Sequence, residues 1–558
     1  MQMHTPSSVA ADGAEVGEGI LVFLSGIQAI EKVNRILRQR VNATSFRDKV
    51  FIYILHGSLP PEQQRRVFKK TKNGEWKIVL ATNIAETSIT VDDITHVIDS
   101  GYMKEIRFDP TANVSSLKEC VISKAAARQR AGRAGRVRPG HCWKLYTNDF
   151  FEGDTIDEYP IPEIQRIPLE EVVLQVLLLN LGLPENFLGL CINPPSMAQI
   201  RASVQVLLDI KAILPTENLA LTALGYHLAK MPVDVRLGKM LITAALLQVH
   251  DPILTICAAL SGKSPFLSPM DKREEATSAH RKYSMRKDSR FSDHLAIVNA
   301  YNDWRQAVSR DGDHRAYSFC QSNFLSANIM EDIHSLREYY RQYLVDAGFL
   351  QEIRDDVVKD AHKTENSDSA CAVRTVERNE TDYAIVRCVL CAGLTPQVVR
   401  VCRYDDKTHR DGKGKGRQDL LPIKIIQADR TEVFIHPMSV AAKQKLGSLL
   451  EAEDGSKLKE SYLVYHTKVS STKLYLHDVT SIPIGALLLF AGDIFISRQR
   501  ERIIVDGWIH LKMSELHAVL YKRLQAEIEA MLVVKIENTA SDISKQQQII
   551  HDILTELL

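Results

Sequence analysis

The sequence lacks an excess of either charge, a cysteine framework and a long apolar run. Its 558 residues include 70 Lys and Arg against 69 Asp and Glu, a balance that excludes a polycationic tail protein but leaves room for a local basic groove. Its nine cysteines are irregularly spaced, which predicts reduced thiols rather than disulfides. The longest apolar-rich stretches, 172–183 and 484–496, are too short to span a bilayer, and the first 20 residues do not look like a secretory signal. We therefore expect a soluble, multidomain, intracellular protein, cytoplasmic or nuclear.

The spacing of apolar residues divides the chain into three parts. Residues 1–150 alternate short buried strands with helical stretches, which predicts an α/β domain with a parallel sheet. Residues 151–348 show the 3.6-residue period of packed helices. The polar stretch 354–381 predicts a linker. Strand patterns within 420–480, followed by helical patterns up to residue 558, predict a small β-domain with a helical tail.

The segment ATNIAETSITVDD, residues 81–93, begins where a predicted buried strand ends. This edge of a parallel sheet is where α/β proteins bind ligands. The segment is dense in short hydrogen-bonding side chains, which is unusual for a mere connection. A Ser/Thr-capped loop with a short helix remains the alternative interpretation.

The segment QRAGRAGR, residues 129–136, alternates three arginines with small residues. At i, i+3 spacing, Arg130, Arg133 and Arg136 can lie on one helix face and converge on a polyphosphate. A solvated basic helical turn is an equally good interpretation of this segment alone. A third segment, HGSLPPEQQRRVF at 56–68, predicts a proline-started helix over 62–70. In that helix Phe68 is more typical of a core position than of a site.

In this order and spacing, the segments resemble the second RecA-like domain of DEAH-box (DEAH/RHA) RNA helicases of superfamily 2. LVFLSG at 21–26 resembles the family's motif IV, 81–93 its motif V and 129–136 its motif VI. The likeness continues downstream to about residue 535, and the ending is similar to the large branch that includes G-quadruplex-resolving and translation-associated helicases.

The resemblance implies a multidomain fold: an α/β RecA-like domain with a parallel sheet, then mostly α winged-helix and ratchet domains, then a β OB-fold with C-terminal helices. The implied boundaries are 1–152 for the second RecA-like domain, 153–218 for the winged helix, 219–350 for the ratchet domain, 351–380 for a linker, 381–510 for the OB-fold and 511–558 for a C-terminal helical extension.

The resemblance also implies roles for single residues. Arg133 and Arg136 would reach the γ-phosphate of ATP, and Gln129 would help to position the attacking water. The nucleotide would also be contacted by Phe68 on the base, Asp92 on the ribose hydroxyls and Ser88 as a sensor of nucleotide state. RNA phosphates and sugars would be contacted, without readout of sequence, by Ser25, Gly26, Thr82, Asn83 and Thr90.

The cofactor implied by the resemblance is ATP, or any NTP, with Mg²⁺ whose protein ligands belong to the first RecA-like domain. The implied partners are RNA, single-stranded or structured, including G-quadruplexes, and activator proteins on the OB-fold. We predict no metal site in this chain, because its 18 His residues show no ligand spacing and the lone pair Cys388 and Cys391 is more typical of buried thiols than of zinc ligands.

Two further segments have a functional and a plain interpretation. Residues 104–108 and 117–122 predict a β-hairpin, which the helicase family uses to separate strands; a plain surface hairpin is the alternative. The basic loop 405–417 is either a site for nucleic-acid backbone or a solvated hairpin tip.

No GxxxxGK[ST] followed by Asp-Glu-x-His occurs in the sequence, and SGKS at 261–264 lies in a helical context that predicts a helix end before Pro265. In the family both motifs lie upstream of motif IV. We therefore expect the C-terminal part of an ATP-dependent RNA helicase, inactive without those motifs. The alternative is a non-catalytic RNA-binding or regulatory protein without ATPase activity.

Overall fold

The computed structural model of the chain describes residues 18–557 except 58, 60–63, 73, 87–90, 110–113, 135–138, 154–155, 270–271, 287–288, 312, 351–381, 404–422, 452–457, 459, 472, 498–501, 540 and 542. The chain divides into two compact units. The first unit comprises the described parts of Met1–Phe108 and Ser115–Ile167, and the second those of Asp109–Val114 and Pro168–Leu558.

The first unit contains a five-stranded sheet whose order is β2–β3–β1–β4–β7 and whose pairings are all parallel. The strands are β1 (Glu18–Phe23), β2 (Val50–Leu55), β3 (Trp76–Ala81), β4 (Ile94–Asp99) and β7 (His141–Lys144). The helices are α1 (Ile27–Asn42), α2 (Lys124–Ala131) and α3 (Asn148–Glu152). The predicted α/β domain with a parallel sheet is confirmed.

Both faces of this sheet carry apolar side chains, because strands of a parallel sheet are covered on both sides. Leu21 and Phe23 of β1 belong to one core cluster, and the neighbouring Ile20 and Val22 point to another, on the side of α1. Helix α1 buries a stripe of apolar residues against that second cluster, spaced as one helix face requires: Ile30, Val33, Leu37 and Val41.

The predicted β-hairpin is present as β5 (Tyr102–Asp109) and β6 (Val114–Val121), which are neighbours in a sheet. Side chains of β6 contact the backbone of β5: Ser116 Oγ donates to the Arg107 carbonyl at 3.1 Å, and Cys120 Sγ lies 3.8 Å from the Met103 carbonyl. These contacts therefore join the two strands of the hairpin.

The second unit begins with helices, as the 3.6-residue period predicted. They are α4 (Glu170–Leu178), α5 (Pro184–Gly189), α6 (Met197–Asp209), α7 (Ala223–Lys230), α8 (Val235–Leu246), α9 (His250–Leu260), α10 (Arg273–Ser284), α11 (Asp293–Asp311), α12 (Asp313–Ser322), α13 (Ala327–Asp346) and α14 (Tyr383–Leu394). Helix α9 ends immediately before Ser261, so the interpretation of 261–264 as a helix end is confirmed.

A β-rich region follows, with strands β8 (Val398–Arg403), β9 (Ile423–Ile426), β10 (Glu432–Ile435), β11 (Glu460–Ser470) and β12 (Leu474–Ile482). Strands β8, β9 and β11 pair antiparallel with their neighbours, whereas β10 pairs parallel with β12. The inward side chains of these strands form one core cluster. The predicted β-domain is confirmed; the linker 351–380 and the basic loop 405–417 lie outside the described residues.

The chain ends in a short helix, a second small sheet and two long helices, as the helical tail predicted. These elements are α15 (Ile484–Phe490), β13 (Ile494–Ser497), β14 (Arg502–Val505), β15 (Ile509–Lys512), α16 (Glu515–Glu537) and α17 (Ser544–Leu557). No helix in the part of the chain that the structure describes is long and apolar enough to cross a membrane.

One buried carboxylate connects the helical and β-rich parts of the second unit. Asp293, the first residue of α11, accepts hydrogen bonds from Ser439 Oγ at 2.7 Å, from the Ala441 backbone N–H at 2.9 Å and from the Val479 backbone N–H at 3.0 Å. Burial raises the pKa of Asp293, and these donors lower it in part. The carboxylate therefore satisfies polar groups that would otherwise be buried without partners.

We predict that Asp293→Ala lowers the free energy of unfolding by about 3 kcal/mol or more, because it strands several buried donors. The matched control is Asp303→Ala on the same helix, where a partly exposed carboxylate lies 2.7 Å from Arg286 and should contribute about 1 kcal/mol or less. Urea unfolding measures both changes, and equal losses would contradict the assigned role of Asp293.

Candidate nucleotide and nucleic-acid site

The carboxyl ends of the central strands lie next to one another at one edge of the parallel sheet. The Leu24 backbone N–H donates to the Ala81 carbonyl at 2.8 Å, and the Ser100 backbone N–H donates to the Phe23 carbonyl at 3.3 Å. These bonds bring together the residues that directly follow β1, β3 and β4. This edge is where α/β sheets bind ligands.

Four predicted RNA contacts lie at this edge. Ser25 and Gly26 form the turn between β1 and α1, and Thr82 is the N-cap of a 3₁₀ turn, Asn83–Ala85, that follows β3. Asn83 is exposed, Ser25 is partly exposed, and Thr82 and Gly26 are buried. The structure thus brings the predicted contacts of motifs IV and V onto one edge; Thr90, the fifth, lies outside the described residues.

One basic side chain outside the predicted site residues, Lys104, lies beside this turn. The Lys104 side chain lies over Gly26, where an added Cβ would approach its Cδ to 3.1 Å. Burial, and then the charge of Lys104, lower the pKa of His56, which directly follows β2. Lys104 therefore adds a positive charge to the edge. In the sequence, the position of Lys104 at the base of the predicted hairpin was the one indication of this role.

The predicted nucleotide contacts Phe68 and Asp92 are held by one buried lysine. Lys77 Nζ donates to the carbonyls of Val67 and Lys69, both at 2.9 Å, and lies 2.6 Å from the Asp93 carboxylate. It thereby fixes the backbone on either side of Phe68 and the residue next to Asp92. We call this arrangement the Lys77 clamp.

The exposure of these two side chains suits a ligand. Phe68 is 49% exposed, so the core interpretation of this residue is wrong. Asp92 is exposed, whereas its neighbour Asp93 is buried. The proline-started helix predicted over 62–70 is only partly seen, because the chain forms a 3₁₀ turn at Arg66–Phe68 and residues 60–63 lie outside the described part. Ser88 lies outside it as well.

Arg130 does not join the other arginines of its segment. Its guanidinium is completely buried and contacts the Asp99 carboxylate at 2.8 Å and the Glu86 carboxylate at 3.0 Å. It also packs over the Phe23 ring at 4.8 Å. The expectation that three arginines share one helix face is wrong for Arg130, because α2 ends at Ala131 and continues as a 3₁₀ turn, Gly132–Ala134. Arg130 therefore positions the segment from inside the fold.

The remaining residues of this segment differ in exposure. Gln129 is exposed at the end of α2, whereas Arg133 is largely buried and donates from Nη2 to the backbone carbonyl of Glu86. Arg136 lies outside the described residues. Glu86 belongs to the 81–93 segment, so its carboxylate and carbonyl connect that segment with Arg130 and Arg133.

Asp99, at the end of β4 and in contact with Arg130, accepts further hydrogen bonds. The Gly101 backbone N–H donates to Asp99 Oδ1 at 3.0 Å, and the Tyr146 hydroxyl donates to Oδ2 at 3.1 Å. Burial, and then the Asp99 charge, raise the pKa of Tyr146, so this phenol remains a neutral donor. Among the residues that the structure describes, no three His, Cys, Asp or Glu side chains lie close enough together to hold a metal ion.

Family profiles match four stretches of the chain. They are the helicase conserved C-terminal domain over 10–138, the ratchet-like helicase-associated domain (HA2) over 234–297, the oligonucleotide/oligosaccharide-binding fold over 386–494 and the C-terminal domain in RNA helicases over 501–558. In this order the profiles match the C-terminal domains of DEAH-box RNA helicases. The order of the profiles agrees with the α/β sheet, the helices and the β-domain of the structure.

Curated relatives match nearly the whole chain. The ATP-dependent DNA/RNA helicase DHX36 of Mus musculus is 39% identical over 521 residues, 93% of this chain and 47% of the relative. DExH-box ATP-dependent RNA helicase DExH1 of Arabidopsis thaliana is 35% identical over 548 residues, 98% of this chain and 49% of the relative. Putative ATP-dependent RNA helicase DHX57 of Homo sapiens is 34% identical over 536 residues, 94% of this chain and 37% of the relative. The chain thus spans about half the length, or less, of the curated relatives that it matches.

We predict that Lys77→Met lowers the free energy of unfolding by about 3–5 kcal/mol, because it leaves the Asp93 carboxylate buried without its cation. Adding Asp93→Leu should recover a large part of that loss, since an apolar pair can replace a buried ion pair. Urea unfolding of both single variants and the double variant measures the coupling. Simple addition of the two single losses would contradict the Lys77 clamp.

Proposed function

We propose that this chain is the part of an ATP-dependent RNA helicase that holds RNA and completes the nucleotide site of a first RecA-like domain. The single observation that carries the proposal is the common edge of the parallel sheet, where the residues of motifs IV and V lie together and Glu86 connects them to motif VI. Translocation on RNA and unwinding are the activities that such a site supports.

The RNA side of the proposal rests on small polar groups and one cation. Backbone turns, Thr and Asn side chains at this edge suit phosphate and sugar contacts, which fix register without reading bases. The Lys104 ammonium beside Gly26 adds the charge that makes binding to a polyanion favourable and salt-dependent. The β5–β6 hairpin, whose base carries Lys104, would divide strands that reach this edge.

The nucleotide side of the proposal rests on two exposed side chains, Phe68 and Asp92. The exposed ring of Phe68 offers an aromatic face for a base and Asp92 an acceptor for ribose hydroxyls, and the Lys77 clamp holds the backbone beside both. These residues fit a nucleotide without reading the edge of its base, which agrees with use of any NTP. Mg²⁺-bound ATP would supply the phosphoryl group that is transferred to water.

Arg133, Arg136 and Gln129 would act on the phosphates of that nucleotide. In phosphoryl transfer, arginines that neutralise developing charge contribute roughly 10³–10⁵ in rate. The Arg133 guanidinium donates to the backbone carbonyl of Glu86. A movement of motif V, which contains Glu86, would therefore change the position of this guanidinium. Glu86 is therefore the residue through which we propose that RNA contacts and nucleotide contacts are coupled.

The six domain boundaries given from the sequence form part of this proposal, as do activator proteins on the OB-fold. The winged-helix boundary, 153–218, begins within the first compact unit and ends in the second, since the units divide at Ile167 and Pro168. Proteolysis of the chain followed by mass spectrometry would locate the boundaries.

Binding to single-stranded RNA tests the RNA side. The 558-residue chain should bind a labelled oligonucleotide with an affinity that falls steeply with salt. Lys104→Ala should weaken binding several-fold and reduce the salt slope by about one, whereas Lys32→Ala, on the exposed face of α1, should change neither. Fluorescence anisotropy at several salt concentrations measures this, and no RNA binding at low salt would overturn the proposed function.

ATP turnover tests the nucleotide side. The assay uses a longer protein that also carries a GxxxxGK[ST] and an Asp-Glu-x-His motif. In that longer protein, Arg133→Ala should lower RNA-stimulated ATP hydrolysis by about 10³-fold and leave RNA affinity within a few-fold. Arg128→Ala, which removes an exposed side chain paired with Glu158, is the control. Loss of RNA binding with retained turnover would contradict the role of Arg133.

A further inference from the structure

A small cavity lies in the second unit where its helices meet the β-domain. Residues from both parts line it: Asp209 of α6, Arg236 of α8, Gln397 just before β8, and Tyr465 and Lys468 of β11. We call this space the junction cavity. Its volume is about 100 Å³, below the roughly 300–1,000 Å³ of pockets for drug-sized ligands. The cavity therefore suits a small ion rather than a nucleotide.

Arg236 is a cation of the junction cavity without a direct counter-charge. Within the described residues its Nε atom is buried without a hydrogen-bond partner, and its guanidinium forms no ion pair. A buried N–H group without an acceptor costs free energy, and the cost is larger when the group is charged. Arg236 also lies in the first turn of α8, where the helix end adds partial positive charge. The side chain therefore favours an anion in the cavity.

The carboxylates around Arg236 have other partners or lose charge through burial. Asp234 accepts from the backbone N–H groups of Arg236 and Leu237 at 2.9 and 3.4 Å. Asp209 is exposed and accepts from Gln205 Nε2 at 2.8 Å. Burial raises the pKa of Glu170, and the charge of Arg236 lowers it only in part. The charge of Arg236 is therefore compensated only in part by the protein.

Lys468 brings a second cation from the β-domain. Its Nζ donates to Gln427 Oε1 at 2.8 Å, which fixes the ammonium while leaving two of its three N–H groups for another acceptor. Burial lowers the pKa of Lys468, and the charge of Asp429 raises it in part. The charge of Arg236 also acts on β11: burial raises the pKa of Tyr465 to about 12, and Arg236 lowers it in part. Two cations from different parts of the unit thus line one small cavity.

We propose that the junction cavity binds one small tetrahedral oxyanion, such as inorganic phosphate, between the Arg236 guanidinium and the Lys468 ammonium. Hydrogen bonds from these cations to an oxyanion are charge-assisted and stronger than those between neutral groups. The anion would join α8 to β11 and so hold the helices against the β-domain. This inference does not depend on the proposed function, because it involves neither the sheet edge nor the nucleotide contacts of the first unit.

Equilibrium dialysis of the 558-residue chain against radiolabelled inorganic phosphate tests the site. Arg236→Met keeps the apolar stem and removes the guanidinium, and Arg236→Lys keeps a cation. Lys468→Met removes the second cation and gives the same test if Arg236→Met does not fold. Arg201→Met is the matched control, because it removes an arginine of α6 that is 70% exposed and pairs with Glu185. Circular dichroism and urea unfolding show whether each variant is folded.

The unaltered chain should bind phosphate, and Arg236→Met and Lys468→Met should each weaken that binding about tenfold or more, since each removes a charge-assisted hydrogen bond. Arg236→Lys should weaken it less, and Arg201→Met should leave it unchanged. Sulfate should displace the phosphate, whereas chloride at the same ionic strength should not. Equal binding by the unaltered chain and both Met variants at the cavity would overturn the proposal, as would equal displacement by sulfate and chloride.

A second arm separates a free anion from the RNA backbone. Excess single-stranded RNA should leave the phosphate that depends on Arg236 in place. If RNA displaces it as sulfate does, the cavity contacts RNA phosphates and the proposed site for a free anion is wrong. RNA binding by the unaltered chain, measured by fluorescence anisotropy, tests the proposed function separately, so either proposal can fail while the other stands.

Discussion

The buried guanidinium of Arg130 is the interaction on which the first unit depends most. Taking such a charge out of water is costly, and it is tolerated only because Asp99 and Glu86 both lie within hydrogen-bonding distance. Asp99 in turn holds the Gly101 backbone and the Tyr146 hydroxyl. One cation therefore sets the relative positions of motif V, the end of β4, the start of the hairpin and motif VI.

Much of the fold can be predicted from the sequence, because strands of a parallel sheet are dense apolar runs. The run WKIVLA predicts β3 with its observed bounds, Trp76–Ala81. A helical stretch up to about residue 40 predicts α1, which ends at Asn42. The hairpin follows from two strand patterns around a turn.

Other features could not be predicted, because they depend on partners that are distant in sequence. The i, i+3 spacing of the arginines suggested one exposed face, but the partners of Arg130 lie 31 and 44 residues away and the helix changes to a 3₁₀ turn within the segment. Lys77 gave one usable signal, a lysine inside an apolar strand, which requires a buried partner. Its contacts with the chain around Phe68 follow only from the packing of the 3₁₀ turn on β3.

The Asp293 carboxylate also has a mechanical consequence. It is a buried acceptor whose donors come from two separate stretches of the β-domain, while its own backbone starts α11. Separating α11 from the β-domain by even one layer of water would break all of these bonds together, so intermediate separations are disfavoured. The helix and the β-domain should therefore move together as one rigid body.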